Sequence, residues 1–338
     1  MQPAPAAEKW AVPRIESAGD LADWFWLELG QLEWFADLAN ISYKTRKAAL
    51  RHYHYRVLTK AGGGNRLIES PKRRLKGLQR QILDGILENI PAHPAVHGFV
   101  KGRSIQTFAA PHVARAVVLR MDLKNFFPSF GAPRIQAFFR TLGYPESVAD
   151  LLGGICTTAT PREICQQLAD ETYSRRHLPQ GSPSSPAAAN LCAYRMDCRL
   201  SGLAKSAGAD YTRYADDLAF SGDGEFQRRA ERFSIHAAAV LLEEGLAVNH
   251  RKTRIMRPGV RQHLAGLVIN QHANVQRKDF DALKATLTNC IRLGPETQNR
   301  DGLGAFQAHL NGRIGFVEMI NPEKGKRLRR IYEKIQWS

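Results

Sequence analysis

Tyr211-Thr212-Arg213-Tyr214-Ala215-Asp216-Asp217-Leu218-Ala219-Phe220-Ser221-Gly222 sets two adjacent acids between two short runs of aromatic and small apolar residues. In the first run Tyr211 and Arg213 fall on one side of an extended chain, and Thr212 and Tyr214 on the other. Leu218-Ala219-Phe220 suits a second short strand, so the stretch reads as a β-hairpin with the acid pair at its turn. Adjacent carboxylates repel, which costs stability unless a cation neutralises them. Oxygen ligands of this kind suit a hard divalent ion such as magnesium. A solvated Asp-Asp turn is the alternative, since aspartate is a common turn former, and the pair alone does not exclude it.

A third acid lies upstream. Residues 116–121 (Ala-Val-Val-Leu-Arg-Met) form a continuous β-run, which predicts a strand buried on both faces with Asp122 at its C-terminal end. An acid there is costly to bury unpaired. A helix N-cap is the competing role for Asp122, but Phe126-Phe127-Pro128 continues a helix poorly. If this strand and the hairpin share one sheet, Asp122, Asp216 and Asp217 converge. That arrangement predicts a site for two magnesium ions about 3.5–4 Å apart, with the backbone carbonyl of Leu123 as a further oxygen ligand. One ion would activate an attacking 3′ or 2′ hydroxyl, and the other would hold a triphosphate.

The 338-residue chain is long enough for two or three subdomains. It carries 48 Lys plus Arg against 32 Asp plus Glu, a net charge of +16 that points to a polyanion. No apolar run is long enough to span a bilayer, and the N-terminus has no basic segment followed by an apolar one. Five scattered cysteines without a CxxC pair suit a reducing cytoplasm. Nucleic acid, with no membrane, is therefore the expected partner.

The remaining segments are read in chain order. Residues 20–39 suit one or two amphipathic helices. Residues 53–60 and 66–70 read as strands around a glycine turn that sets Lys60 and Arg66 on either side, either as a solvated edge or as a clamp for phosphates. A basic helix is expected over 72–90. His97-Gly98-Phe99-Val100-Lys101-Gly102-Arg103 is a glycine-punctuated loop suited to a backbone phosphate, without the spacing of a Walker loop. Residues 131–175 look helical. Leu178-Pro179-Gln180-Gly181-Ser182-Pro183 is a tight loop opening a helix over 187–203, with Gln180 and Gly181 able to approach a base or sugar. A helix over 226–244, a short strand and basic turn over 246–256, and a further short strand over 262–270 follow. From 278 on the chain is helical and basic, with Arg313, Lys324, Lys326 and Arg329 among its cations; a solvated helix face is the plain reading, and the chain-wide charge favours a nucleic-acid contact.

Taken in order, these segments resemble a reverse transcriptase. The likeness rests on the 60–66 hairpin, Asp122 with Phe126-Phe127, Leu178-Pro179-Gln180-Gly181, Tyr214-Ala215-Asp216-Asp217, residues 249–253 and Leu264-Ala265-Gly266-Leu267-Val268. The resemblance implies an α+β, right-hand polymerase fold: an N-terminal helical extension over 1–50, fingers over 51–112, a palm of antiparallel sheet plus helices over 113–270 with fingers elements at about 131–175, and a helical thumb over 271–338. It implies Asp122, Asp216 and Asp217 as catalytic residues. It also implies nucleotide contacts from Lys60, Arg66, Gln180, Gly181 and Lys252, the last as the lysine that protonates diphosphate. Phe127, five positions after Asp122, would be the gate against a ribose 2′-OH, unless it is a core residue, since only one of Phe126 and Phe127 can face the site.

Within that family the chain is similar to bacterial retron enzymes. Phe108-Ala109-Ala110-Pro111-His112 stands at their Asn-Ala-x-x-His element, keeping Ala and His, and Leu264-Ala265-Gly266 stands at their Val-Thr-Gly. The likeness implies that a structured non-coding RNA serves as template and primer, contacted by Arg103, His112, Arg313, Lys324, Lys326 and Arg329. It implies dNTPs as substrates, a cDNA or branched RNA-linked product (msDNA), and a phage-defence setting with a toxin or effector encoded alongside. Other small reverse transcriptases of phage defence, a non-catalytic RNA-binding protein on the same fold, and a nucleotidyl cyclase are the alternatives. The Pro-Gln-Gly loop and basic C-terminal segment argue against a cyclase, which needs no grip on a long duplex.

Overall fold

The computed structural model describes residues 7–59, 64–168 and 170–337. Three helices, α1 (Ala18–Phe25), α2 (Leu29–Ala36) and α3 (Ile41–Lys44), precede the hairpin of β1 (Tyr53–Thr59) and β2 (Asn65–Pro71). Helix α4 (Arg73–Gly85) and the short α5 (Ile105–Ala109) lead into β3 (Val117–Lys124). Then come α6 (Ala132–Thr141), α7 (Glu146–Cys156), α8 (Arg162–Leu168), α9 (Ser185–Cys192) and α10 (Tyr194–Ser206), and the hairpin of β4 (Ala209–Tyr214) and β5 (Asp217–Gly222). Helix α11 (Gly224–Glu243) is followed by β6 (Ala247–Val248), β7 (Arg254–Met256), β8 (His263–Leu264), β9 (Leu267–Val268) and β10 (Asn274–Val275). Helices α12 (Arg277–Leu293), α13 (Phe306–Ile320) and α14 (Pro322–Tyr332) close the chain. No helix among the described residues is long and apolar enough to cross a membrane.

Strand β3 is the axis of the central sheet. It pairs antiparallel with β5 on one side, and with β7 and then β6 on the other. Its alternate residues feed two cores, as a strand buried on both faces must. Val117, Leu119, Met121 and Leu123 join the large core with Leu218 and Phe220, beneath α6, α9, α10 and α11. Val118 and Ala219 face a second core built from Leu264, Leu267 and the C-terminal helices. Arg120 and Asp122 share the face of Val118 by the two-residue period, and Asp217 shares it as the direct cross-strand partner of Asp122. This face therefore grades along β3 from apolar to charged.

Four expectations need correction. Strand β3 does not end at Asp122; Leu123 and Lys124 continue it by pairing with Val248 and Ala247. The basic turn expected after residue 249 contains a strand, β7, because Ile255 and Met256 meet Leu119 and Val118 of β3. The single strand expected over 262–270 is the β8–β9 hairpin, since Ala265 and Gly266 both take positive φ (45° and 84°) and reverse the chain. The helix expected over 187–203 is two helices meeting at Ala193.

One buried ion pair holds the β4–β5 turn. Arg213 on β4 and Asp197 on α10 are both fully buried, joined by Nε to Oδ1 at 2.8 Å and Nη2 to Oδ2 at 2.7 Å. Tyr211 Oη donates to the same Oδ1 at 2.8 Å. The third guanidinium nitrogen, Nη1, donates to Asn190 Oδ1 (3.0 Å) and to the carbonyl of Ala215 (3.1 Å). Ala215 takes a left-handed φ of 55°, which costs a non-glycine residue stability. It is held there by Arg213 from one side and by Gly98 from the other, where a Cβ would stand 2.7 Å from the Ala215 nitrogen.

Removing one member of such a pair leaves a buried, uncompensated charge. Asp197→Ala is expected to lower the unfolding free energy by about 3–5 kcal/mol in urea denaturation. A loss under about 1 kcal/mol would show that the pair does not carry the turn.

Candidate active site

The sheet brings Asp122, Asp216 and Asp217 to one edge of the charged face. Asp122 and Asp217 are cross-strand partners, and the Leu123 N–H donates to the Asp216 carbonyl at 2.9 Å, stitching the hairpin turn to β3. Asp122 is 4% exposed. Its two carboxylate oxygens accept from Asn249 Nδ2 at 3.1 Å and Lys252 Nζ at 2.9 Å, while its carbonyl accepts from the Asn249 N–H at 2.7 Å. Asp217 Oδ1 accepts two bonds from Arg120, from Nε at 2.9 Å and Nη2 at 2.7 Å. Burial, followed by the charge of Asp217 and then Asp122, holds the Asp216 carboxyl above the ordinary carboxylate range, against the opposing pull of Lys252. The charges of Asp217 and Asp122 thus add to burial in disfavouring ionisation of Asp216.

Among the described residues no three His, Cys, Asp or Glu side chains are gathered as a metal-ligand set. Two of the acids are paired with cations of the chain, Asp122 with Lys252 and Asp217 with Arg120. The donor chemistry nonetheless suits a hard divalent ion, because the acids are all oxygen donors.

Aromatic rings border the acids. Phe126 is buried, with the Arg213 guanidinium 5.5 Å from its ring centre, whereas Phe127 is half-buried. Phe126 belongs to the large core, and the partly buried Phe127 also packs against that core. The Phe127 ring lies 6.4 Å from that of Phe99, which is 6.2 Å from Tyr214. Phe99 is exposed and holds a φ of 59°.

The 178–186 loop docks on β2. The Gln180 carbonyl accepts from the Glu69 N–H at 2.9 Å. Gly181 has φ 141°, and a Cβ there would stand 2.8 Å from the Glu69 carbonyl, so only glycine permits the approach. Behind the contact, the buried Glu69 carboxylate meets His177 Nε2 at 2.9 Å and accepts from Thr160 Oγ1 at 2.7 Å. Gln180 is half-buried, and Arg66, three residues before Glu69 on β2, is exposed. Lys60 lies outside the described residues.

The residues expected to contact RNA separate into two groups. His112 is corrected: its side chain is fully buried. Its Nε2 lies 2.7 Å from Thr212 Oγ1 and its Nδ1 2.6 Å from Ser221 Oγ. The Thr212 hydroxyl donates to the Phe108 carbonyl at 3.0 Å, so His112 donates through Nε2 and accepts through Nδ1. Burial, then the charges of Arg115 and His97, pushes its pKa down to about 3. His112 therefore ties the 105–112 segment to the β4–β5 hairpin. Arg103 is likewise turned inward, with Nη1 donating to the carbonyls of Pro94 and Val96. On the C-terminal helices Arg329 pairs with Glu318 at 2.9 and 2.8 Å, Lys326 with Glu323 at 3.0 Å, and Lys324 lies 5.0 Å from the Phe280 ring centre. Arg313 is exposed and borders a cavity with Phe280 and Phe316.

Sequence reading missed Arg120 and Asp197 as parts of the site, and took Asn249 and Phe99 only as members of the longer stretches 249–253 and 97–103. Arg120 was accessible by the two-residue strand period from Asp122; Asp197 and Phe99 are placed by tertiary contacts alone.

Residues 58–287 match the family described as reverse transcriptase (RNA-dependent DNA polymerase). The chain is 41% identical over 295 residues to the retron Mx65 reverse transcriptase of Myxococcus xanthus, covering 87% of this chain and 67% of that protein. It is 38% identical to the retron Mx162 reverse transcriptase of the same organism, over 92% of this chain and 65% of the other. It is 31% identical to the retron Ec86 reverse transcriptase of Escherichia coli, over 84% and 82%. The chain thus spans about two thirds of the length of the two Myxococcus relatives. Among solved structures it matches a telomerase from Candida albicans in complex with a fragment of telomeric RNA at TM-score 0.43 and 10% identity, covering 82% of this chain and 54% of that one.

The seat of His112 sets a dependence on pH. The folded pKa lies below the ordinary value of 6.5, so the unfolded chain binds the proton first and stability is lost as pH falls from about 6.5 toward 3. Between pH 7 and pH 5 the wild-type chain is expected to lose about 2 kcal/mol more than His112→Gln, measured by denaturation at each pH. Parallel pH profiles for the two chains would contradict the buried neutral imidazole.

Proposed function

The chain belongs to the retron-type reverse transcriptases and has their α+β right-hand polymerase fold, and on that premise we propose that it is an RNA-directed DNA polymerase whose centre is Asp122, Asp216 and Asp217. The observation that supports the reading is the cross-strand pairing of Asp122 with Asp217, with Asp216 at the adjoining turn bonded through its carbonyl to the Leu123 N–H, inside the matched segment. In this reading residues 51–112 are fingers, 113–270 palm and 271–338 thumb, with 1–50 a helical extension. A structured non-coding RNA supplies template and primer, and dNTPs are joined into cDNA or branched msDNA. The setting is the cytoplasm, in phage defence, with an effector encoded alongside.

Two magnesium ions are the cofactor proposed, held by Asp122, Asp216, Asp217 and the Leu123 carbonyl. Bound there, they would acidify the attacking hydroxyl and neutralise the triphosphate. The chain's own residues do the rest. Lys252 and Arg120 neutralise Asp122 and Asp217 until other cations take their place. Lys252, whose Nζ lies 2.9 Å from Asp122 Oδ2, would be the proton donor to the leaving diphosphate. Arg66 offers a planar fork to phosphates. The Gln180–Gly181 turn lines the nucleotide pocket from its anchor on Glu69. In the same reading Phe127 is the gate against a ribose 2′-OH. The second reading, a non-catalytic RNA-binding protein, takes its support from the same two cations, which neutralise the acids without metal.

The two readings part on extension. Asp216→Asn is expected to lower dNTP incorporation on a primed RNA template at least about a hundredfold while leaving RNA affinity near wild type. RNA binding without extension by the wild-type chain would favour the non-catalytic reading. Phe127→Ala is expected to relax the preference for dNTPs over rNTPs by about tenfold or more, read as the ratio of the two kcat/KM values. An unchanged ratio would return Phe127 to a packing role.

A further inference from the structure

Beside the carboxylates lies a cavity of about 500 Å³ lined by Arg120, Arg251, Lys252, Arg254, Arg261 and His263, with Ile255, Met256 and Val260 as its apolar wall. No aspartate or glutamate lines it. Two of its cations face carboxylates outside the lining: Arg120 meets Asp217 at 2.7 Å and Lys252 meets Asp122 at 2.9 Å. Arg254 Nη1 donates to the neighbouring Thr253 carbonyl at 2.8 Å. Arg251 and Arg261 are exposed and have no carboxylate partner among the described residues.

The register makes this more than a solvated basic surface. Arg120 on β3 and Arg254 on β7 are direct cross-strand partners. Like charges in that position destabilise a sheet. Asp217 offsets Arg120 alone, so the β3–β7 pairing carries a local positive excess that an anion in the cavity would relieve. The donors suit one kind of anion. Three guanidinium groups not paired with a carboxylate, those of Arg251, Arg254 and Arg261, carry planar N–H forks, which match the oxygens of a phosphate. A cavity of one sign with an apolar wall also concentrates counter-ions.

We propose that this cavity is a phosphate-binding site adjoining the carboxylate centre, and that Arg251, Arg254 and Arg261 grip the phosphate from the outer wall. Two sources share that chemistry: a phosphodiester of the nucleic-acid strand lying against the acids, or free diphosphate. The first source rests on the polymerase reading; the site itself does not.

The test uses the whole chain and two binding measurements made without dNTPs, so a chain that extends no primer still gives a readable result. The combined variant Arg251→Ala, Arg254→Ala, Arg261→Ala is compared with wild type and with Arg228→Ala, a mostly exposed cation on α11 paired with Glu225 at 3.6 Å. Affinity for a labelled RNA–DNA duplex is followed against salt, and thermal stabilisation against inorganic diphosphate. If the cavity holds a backbone phosphate, the log–log salt slope of the triple variant falls by about 0.9 per lost contact. Arg228→Ala keeps the wild-type slope, and the triple lysine variant, which retains charge, recovers most of it. If the source is free diphosphate, the slope holds and the stabilisation by diphosphate disappears in the triple alanine variant. Either result sustains the phosphate site. An unchanged slope together with unchanged diphosphate stabilisation overturns it.

Discussion

The buried pair between Arg213 and Asp197 is the constraint on which the candidate site depends. A guanidinium with no exposed surface is tolerable only when its donors are matched and a counter-charge is in contact. Here Asp197, Asn190 and the Ala215 carbonyl supply the acceptors, and Phe126 supplies a ring face. These contacts set a helix, a strand and a turn against one another. The turn they clamp is the one that presents Asp216 and begins β5 with Asp217, and the register of β5 then places Asp217 opposite Asp122. A charge pair deep in the core thus supports the turn that presents Asp216 and Asp217.

At the surface the electrostatics are arranged in layers. Three carboxylates crowd one edge of the sheet, two of them hold a cation of the chain, and the third carries a raised pKa. Beyond them lies a cavity of arginines with no acid of its own. Negative charge is concentrated where divalent ions are proposed to act, and positive charge where phosphate is proposed to lie. The excess of 48 basic over 32 acidic residues is therefore organised rather than uniform. The Gln180–Gly181 turn, fixed on Glu69 by a backbone bond, brings the β1–β2 hairpin to the same side.

Much of this was legible in the sequence where local pattern and tertiary role coincide. The 211–222 hairpin was readable because alternation and the acid turn lie within twelve residues, and β3 because Val117, Val118, Leu119 and Met121 make an apolar run broken only by Arg120. His112 was misread because its partners, Thr212 and Ser221, are about a hundred residues away in the chain, and nothing local distinguishes a polar core histidine from an exposed one. Strand β7 was missed because three residues, Arg254-Ile255-Met256, carry no periodic signal; pairing with β3 makes it a strand. The β8–β9 turn was hidden by Ala265, a non-glycine residue at positive φ. Arg120 had a signal in its strand period, but its ion pair with Asp217 follows only from the register.

The central claim is that these three acids serve templated DNA synthesis. It is tested most directly by giving the purified chain a primed RNA template and dNTPs, with and without a divalent cation, and sequencing any product. The account predicts DNA complementary to the RNA, formed only when template and cation are both present. Stable binding of primed RNA with no DNA product under any divalent cation would contradict it.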